Sequence, residues 1–255
     1  MLVGMPRLAP LFCIITLAAA PFADLTPVRT MELHGDTHHP QGIDFDQQHI
    51  WVTSVDRTQR KGYLQEFSLS TGEHLRTVDV TKGDRYHPGG FSAREGSLWI
   101  PVAEYRRASS AVIQKRNLRT QELESEFEVM DHIGCIAAAP DVLIGGNWDS
   151  RDFYIWDYRG RLIRKVASPT GNSYQDLKFV DGWLVGAGSL ADHTGAVDWL
   201  EYPSLRLVRR VTVGRTSRGV SYTNEGMALR GDRIFFLPED SPSRLFEFRL
   251  AAAGQ

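Results

Sequence analysis

Short segments in which apolar and polar residues alternate follow one another along most of the chain. Residues 62–69 alternate in this way, as expected of a β-strand with one buried face. Residues 71–73 then supply a turn, and residues 74–80 supply the next strand. Because no long amphipathic helix interrupts this pattern, the sequence predicts an all-β protein.

The same unit recurs five times along the chain. Each unit opens with a cluster of small and polar residues and continues into an apolar strand that often contains tryptophan. Successive unit starts are 41 to 50 residues apart, which is typical of the blades of a β-propeller. We therefore predict a five-bladed β-propeller, with six blades as the alternative. The five starts are residues 39–43, 87–91, 132–136, 173–177 and 223–227.

The fifth unit lacks an outer strand, because residues 244–250 supply only its third. Residues 28–33 precede the first unit and have no blade of their own. We expect this N-terminal strand to complete the fifth blade. Closing the ring in this way leaves no free sheet edge and joins the two ends of the domain.

The first two dozen residues differ from the rest of the chain. Arg7 precedes an apolar run over residues 8–20 that ends in alanines, a pattern typical of a secretory signal peptide. The run is short for a membrane span. We therefore expect residues 1–23 to be cleaved and residues 24–255 to form a single domain. The mature protein would be secreted or periplasmic, without membrane attachment.

Composition narrows the classes of function. The formal net charge is -2, and no basic stripe is present, so nucleic acid is not an expected partner. The mature chain retains one cysteine, Cys135, which lies between isoleucines and is expected to be a buried apolar residue. One thiol cannot form an internal disulfide, so the fold must depend on its own core. We expect a monomer.

Histidine occupies the first position of three successive unit starts. His39, His87 and His132 share this position, and serine or threonine takes it in the other two units. Equivalent positions of propeller blades converge on the central channel, so we predict a divalent metal ion held by these histidines, with Glu225 as a further ligand. Imidazole suits a zinc-like ion, whereas calcium prefers oxygen ligands. The alternative is a polar channel that holds only water.

Other polar and aromatic residues recur near the same mouth of the channel. Some lie two positions after the histidines, and others lie on the loops after the second strands. Such side chains suit a small anionic or carbohydrate-like ligand, and solvated loop charges are the alternative. The predicted ligand-binding residues are Gln41, Glu104, Tyr105, Trp148, Arg151, Gln175 and Glu225.

The sequence thus predicts a small-ligand site at the channel mouth, with metal-assisted binding or lyase or hydrolase chemistry. A non-catalytic scaffold for protein contacts is the alternative. No catalytic residue is assigned, because the chain has no G-x-S-x-G elbow, no phosphate-binding glycine loop and no Cys-x-x-Cys pair.

Residues 41–46, which precede the apolar strand 50–52, resemble the opening of the plant and bacterial glutaminyl cyclase (glutamine cyclotransferase) family. Gln41 matches the glutamine in the first blade of that family. The resemblance implies a five-bladed propeller. It departs at the second unit start, where Pro88-Gly89-Gly90 replaces Gly-Glu-Gly, and at residues 52–53, which replace an acidic residue. Without these carboxylates we do not expect cyclisation of N-terminal glutamine.

Residues 87–90, 101–105 and 131–134 also resemble a bacterial family of exported propeller-like proteins without an assigned function. This resemblance extends over about residues 38–250. It implies the same fold and no particular mechanism.

Overall fold

The computed structural model describes residues 27–250, and the predicted signal peptide lies outside them. In this range 21 β-strands form five antiparallel sheets. The innermost strands of neighbouring sheets contact one another around a closed ring. The prediction of a five-bladed β-propeller is therefore confirmed, and the alternative of six blades is wrong. None of the helical turns in this range is long and apolar enough to cross a membrane.

Within each blade the strands follow one another from the channel outward. Blade one comprises β2 (His39–Phe45), β3 (His49–Asp56), β4 (Lys61–Ser68) and β5 (His74–Asp79). Blade two comprises β6 (Arg85–Pro88), β7 (Ser92–Arg94), β8 (Ser97–Glu104), β9 (Ala111–Asn117) and β10 (Leu123–Val129). Blade three comprises β11 (Ile133–Ala138), β12 (Leu143–Asn147), β13 (Asp152–Trp156) and β14 (Leu162–Ala167).

The remaining two blades follow the same order. Blade four comprises β15 (Ser173–Val180), β16 (Trp183–Ser189), β17 (Gly195–Glu201) and β18 (Arg206–Val213). Blade five comprises β19 (Glu225–Arg230), β20 (Arg233–Pro238), β21 (Arg244–Arg249) and the N-terminal strand β1 (Arg29–Glu32).

The N-terminal strand completes the fifth blade, as predicted. β1 pairs with β21 in antiparallel orientation, from Arg29 opposite Glu247 to Glu32 opposite Arg244. The backbone N–H of Val28 extends this pairing with a hydrogen bond to the carbonyl oxygen of Glu247. The first and last strands of the domain therefore belong to one sheet.

The core lies between the faces of successive blades. Every second residue of a strand points to the same face of its sheet, so each blade presents a row of apolar side chains to the next blade. Cys135 is fully buried in the apolar cluster between blades three and four. Burial raises the pKa of its thiol to about 12. The prediction that Cys135 is an unreactive apolar residue agrees with this environment.

The innermost strand of blade two is interrupted by a glycine pair. β6 and β7 both pair with β8, and Gly89 and Gly90 lie between them. A Cβ atom at Gly89 would lie 1.9 Å from the carbonyl oxygen of Gly134 in blade three. The two backbones thus approach more closely than any side chain allows, which requires glycine at this position.

A buried ion pair joins four of the blades between their innermost strands. Asp176 of blade four accepts hydrogen bonds from the backbone N–H groups of Ile43 in blade one and Met227 in blade five, each at 3.1 Å. Lys178 donates to the other oxygen of Asp176 and to the carbonyl oxygen of Phe91 in blade two. Burial raises the pKa of Asp176, and the Lys178 ammonium opposes this shift.

Asp176→Ala tests this connection. We expect the substitution to lower the free energy of unfolding by at least about 3–5 kcal/mol, because it leaves the Lys178 ammonium buried without its counterion. Denaturant unfolding measures the loss. The matched control is Asp232→Ala, which breaks ion pairs at a site where the carboxylate is 59% exposed and should change stability by less than about 1 kcal/mol. Equal losses in the two variants would contradict the assignment.

Gly89→Ala tests the close approach of blades two and three. We expect a loss of stability of at least about 1–3 kcal/mol, because the added methyl group meets backbone atoms that cannot rotate away. Gly171→Ala is the control, since a Cβ atom there has no neighbour within 4 Å. Thermal unfolding of both variants measures the difference. An unchanged melting temperature for Gly89→Ala would show that the blades can separate without cost.

Candidate functional site

One mouth of the central channel opens into a cavity of about 390 Å³. All five blades contribute side chains to it, from the start of the innermost strand or from the loop after the second strand. Its volume lies within the range of small-molecule binding sites. The convergence of the unit starts on one mouth of the channel is thus present in the structure.

Eight of the ten predicted site residues line this cavity. Their function as ligand-binding residues remains a prediction. They are His39, Gln41, His87, Tyr105, His132, Trp148, Gln175 and Glu225.

Glu104 and Arg151 do not line the cavity. The carboxylate of Glu104 accepts hydrogen bonds from Arg106 and from Ser110, at 2.7 Å and 2.9 Å. The side chain of Arg151 is 72% exposed and lies 3.7 Å from Asp149. Neighbouring residues at the end of a strand point to opposite sides, so Tyr105 faces the cavity where Glu104 does not. Arg151 follows the short helical turn Trp148–Ser150, and its side chain points into solvent.

The predicted site residues do not include four polar residues that line the cavity at the end of a second strand or on the loop after it, nor Ser173 at the start of blade four. Three of these four lie on the same kind of loop as Tyr105 and Trp148, directly after the second strand of a blade. The recurrence of polar residues at this loop position is the signal that could have identified them. The four residues are Arg57, Asn147, Asp149 and Glu239.

His132 is held in one orientation by the backbone. Its Nδ1 atom lies 3.0 Å and 3.1 Å from the carbonyl oxygens of Glu104 and Arg106. Carbonyl oxygens only accept hydrogen bonds, so Nδ1 carries the proton and Nε2 keeps its lone pair in the neutral ring. Burial lowers the pKa of His132, which favours this neutral form.

His87 is also neutral, and one of its nitrogens has no partner. Its ring stacks on Tyr105 at 4.4 Å and lies 5.4 Å from the ring of His132, both measured between ring centroids. Its Nδ1 atom is buried without a hydrogen bond from any described residue. Burial, followed by the neighbouring His132 and His39, holds the pKa of His87 well below its usual value.

Glu225 is a buried carboxyl group at the edge of the cavity. Its side chain is 8% exposed, and its Oε1 atom lies 4.0 Å from Nε2 of His39. Burial, with the neighbouring Glu239 as the next cause, raises the pKa of Glu225 to about 8. Its backbone φ of 110° lies in a region that non-glycine residues rarely adopt. Such strain persists where the surrounding structure imposes it, and it is common at functional sites.

His39 lies between two carboxyl groups of blade five. Its Nδ1 atom is 2.8 Å from Oε1 of Glu239, although the two atoms are not aligned for a hydrogen bond. Its Nε2 atom faces Glu225. Burial lowers the pKa of His39, Arg57 lowers it further, and Glu239 opposes the shift.

The three histidines do not form one metal-ligand set. Within residues 27–250, the three side chains that bring potential ligand atoms within 4.8 Å of one another are His39, Glu225 and Glu239. The reason is the closure of the ring, which places blade five beside blade one. His132 is meanwhile held toward the backbone of blade two. The structure thus separates His87 and His132 from the set that contains His39 and Glu225.

Arg57 is the cation of the cavity that lacks a carboxylate partner in the described part of the chain. Its guanidinium lies over the ring of Tyr105, 5.3 Å from the centroid. The other arginine at this mouth, Arg107, lies over Trp148 and pairs with Asp149 at 2.6 Å. The cavity therefore combines one unpaired positive charge with neutral imidazoles and a buried carboxyl group.

Comparisons with solved structures agree with the fold. Myxococcus xanthus glutaminyl cyclase is similar at a TM-score of 0.66 and 15% identity, over 90% of this chain and 97% of that chain. The Pan2 WD40 domain of Neurospora crassa is similar at a TM-score of 0.52 and 12% identity, over 86% of this chain and 64% of that chain. A Bacteroides caccae protein of unknown function is similar at a TM-score of 0.52 and 12% identity, over 78% of this chain and 70% of that chain. At these identities the likeness shows the fold alone.

No curated protein matches the chain at a significant level. Residues 58–180 match the sequence pattern of DUF6454, described as a family of unknown function. The match spans blades two and three and parts of blades one and four. The expected resemblance to a family without an assigned function is thereby confirmed. Over residues 58–180, this five-bladed propeller carries the sequence pattern of the DUF6454 family.

Proposed function

We propose that this protein binds a small anionic molecule in the cavity at the channel mouth, with Arg57 as the residue that contacts the anionic group. The observation that carries the proposal is the unpaired guanidinium at the edge of a cavity of about 390 Å³. With the predicted signal peptide, the protein would meet this ligand in the periplasm or outside the cell.

The guanidinium of Arg57 is suited to a carboxylate or a phosphate group. Its N–H donors form a rigid planar fork that matches the two oxygens of such a group. The ring of Tyr105 supports the guanidinium. Because no carboxylate of the described residues pairs with Arg57, its N–H groups are available to a ligand.

The rest of the cavity suits a polar ligand of modest size. Gln41 and Gln175 present amide groups, which both donate and accept hydrogen bonds. Tyr105 and Trp148 add aromatic faces, which suit the apolar side of a sugar ring or a short carbon chain. A sugar acid, a small carboxylic acid or a phosphate ester would satisfy these groups.

The alternative of a scaffold for protein contacts has less support. Large exposed apolar side chains do occur, but they lie on or directly beside the outer strands of all five blades. In the described part of the chain they are thus spread around the ring, whereas docking surfaces are contiguous apolar patches. The residues are Val28, Leu75, Leu123, Met130, Leu162, Ile163 and Val208. Lyase or hydrolase chemistry remains a prediction, since the geometry of the cavity supports binding.

Arg57→Gln tests the proposed function. The melting temperature of the protein is first measured alone and then separately with inorganic phosphate, a dicarboxylate, a sugar acid and the corresponding neutral sugar. We expect at least one anion to raise the melting temperature and the neutral sugar to have no effect. Arg57→Gln should weaken that binding at least tenfold, because a charged hydrogen bond contributes about 1.5–3 kcal/mol.

Arg151→Gln is the matched control, since this arginine lies outside the cavity and should leave the affinity unchanged. Isothermal titration gives the dissociation constants for both variants. Equal affinity of wild-type protein and Arg57→Gln would contradict the proposal. Binding of the neutral sugar with no preference for any anion would contradict it as well.

A further inference from the structure

We infer that His39, Glu225 and Glu239 form a binding site for one divalent metal ion at the junction of blades five and one. His39 begins β2, Glu225 begins β19, and Glu239 directly follows β20. Closure of the ring places these three positions side by side, with potential ligand atoms within 4.8 Å of one another. The site does not depend on the proposed binding of an anion by Arg57.

The contact between His39 and Glu239 is close but poorly aligned for a hydrogen bond. Nδ1 and Oε1 lie 2.8 Å apart, yet Nδ1 has no hydrogen-bond partner among the described residues. Two ligands of one tetrahedral zinc ion, with bonds of about 2.1 Å, lie about 3.4 Å apart, so the exposed Glu239 side chain would move outward by a small distance to admit the ion. A shared ion would give Nδ1 the partner that it lacks among the described residues.

Glu225 supplies an independent reason to expect a cation. Its carboxyl group is more than nine-tenths buried, and its Oε1 atom lies 4.0 Å from Nε2 of His39. An imidazole gives only one of its nitrogens to an ion, and one ring nitrogen of His39 lies within 4.8 Å of an oxygen of each carboxylate. A buried carboxylate is costly unless it pairs with a charge or coordinates a metal. Glu239 adds a second carboxylate beside it, and Arg57 forms an ion pair with neither of them in the described part of the chain. A divalent cation would replace the proton of Glu225 and balance the charge of both carboxylates.

The donor set indicates the class of metal. One imidazole nitrogen and two carboxylate oxygens form a mixed set that suits zinc and similar first-row ions. Calcium takes six to eight oxygen ligands, and three side chains with one nitrogen supply too few. Sites with three protein ligands leave a coordination position for water or substrate, and this position would belong to the cavity of the proposed function.

Metal titration of the full-length protein tests the inference. The protein is stripped with a chelator, and zinc, manganese and calcium chloride are added separately in a calorimeter. We expect one zinc ion per chain, tighter than calcium. His39→Ala and Glu239→Gln should each weaken zinc binding by at least about tenfold. Substituting residues that only hydrogen-bond to metal ligands already causes a loss of this size.

His87→Ala is the matched control, because His87 lines the same cavity but lies outside the set. It should bind zinc with unchanged affinity. Loss of binding in His87→Ala, retained affinity in His39→Ala and Glu239→Gln, or no stoichiometric zinc in wild-type protein would each overturn the inference. Circular dichroism confirms that every variant is folded.

Glu225→Gln provides a second test that does not depend on activity. Without metal, this variant should melt at the same temperature as wild-type protein or higher, since it removes a buried carboxyl group whose contact with His39 spans 4.0 Å. Zinc should raise the melting temperature of wild-type protein and not that of Glu225→Gln. An equal zinc-induced increase in both proteins would show that Glu225 is not a ligand. The anion experiments use chelator-treated protein, so that failure of the anion proposal can be distinguished from failure of the metal proposal.

Discussion

Asp176 and Lys178 form an ion pair between the innermost strands, where both side chains are almost completely buried. Their hydrogen bonds extend to Ile43, Phe91 and Met227, which belong to three other blades. Charged hydrogen bonds of this kind have strict geometry, so they fix the relative positions of the four innermost strands that they join. The side chains at the channel mouth begin only one or a few residues away along the same strands. Their convergence on one cavity therefore depends on this pair.

Much of the fold can be read from the sequence because a propeller is a repeat. Five unit starts with similar composition define five blades, and the strand ahead of the first unit has one place to pair. The same repeat aligns His39, His87 and His132, since equivalent residues of successive blades occupy equivalent positions around the channel. All three line the cavity. The regular spacing of the chain thus carries information about which residues share a site.

The composition of the site within the cavity depends on features that the repeat does not encode. Blade five is last in the sequence but lies beside blade one, so Glu239 meets His39 although the two are far apart along the chain. On the loops, side-chain direction changes from one residue to the next. Tyr105 therefore faces the cavity, and Glu104 is held by Arg106 outside it. Distinguishing such neighbours requires the three-dimensional path of the loop.

The pairing of β1 with β21 also determines how the domain would respond to mechanical force. Because the two strands are antiparallel, Arg29 lies opposite Glu247, and both chain ends leave the sheet on the same side. Tension applied to the two termini would open their hydrogen bonds one after another, as in the unzipping of a hairpin, rather than loading all of them at once in shear. The outer strands of blade five would separate first and at low force, while the buried pair still joined the innermost strands of blades one, two, four and five.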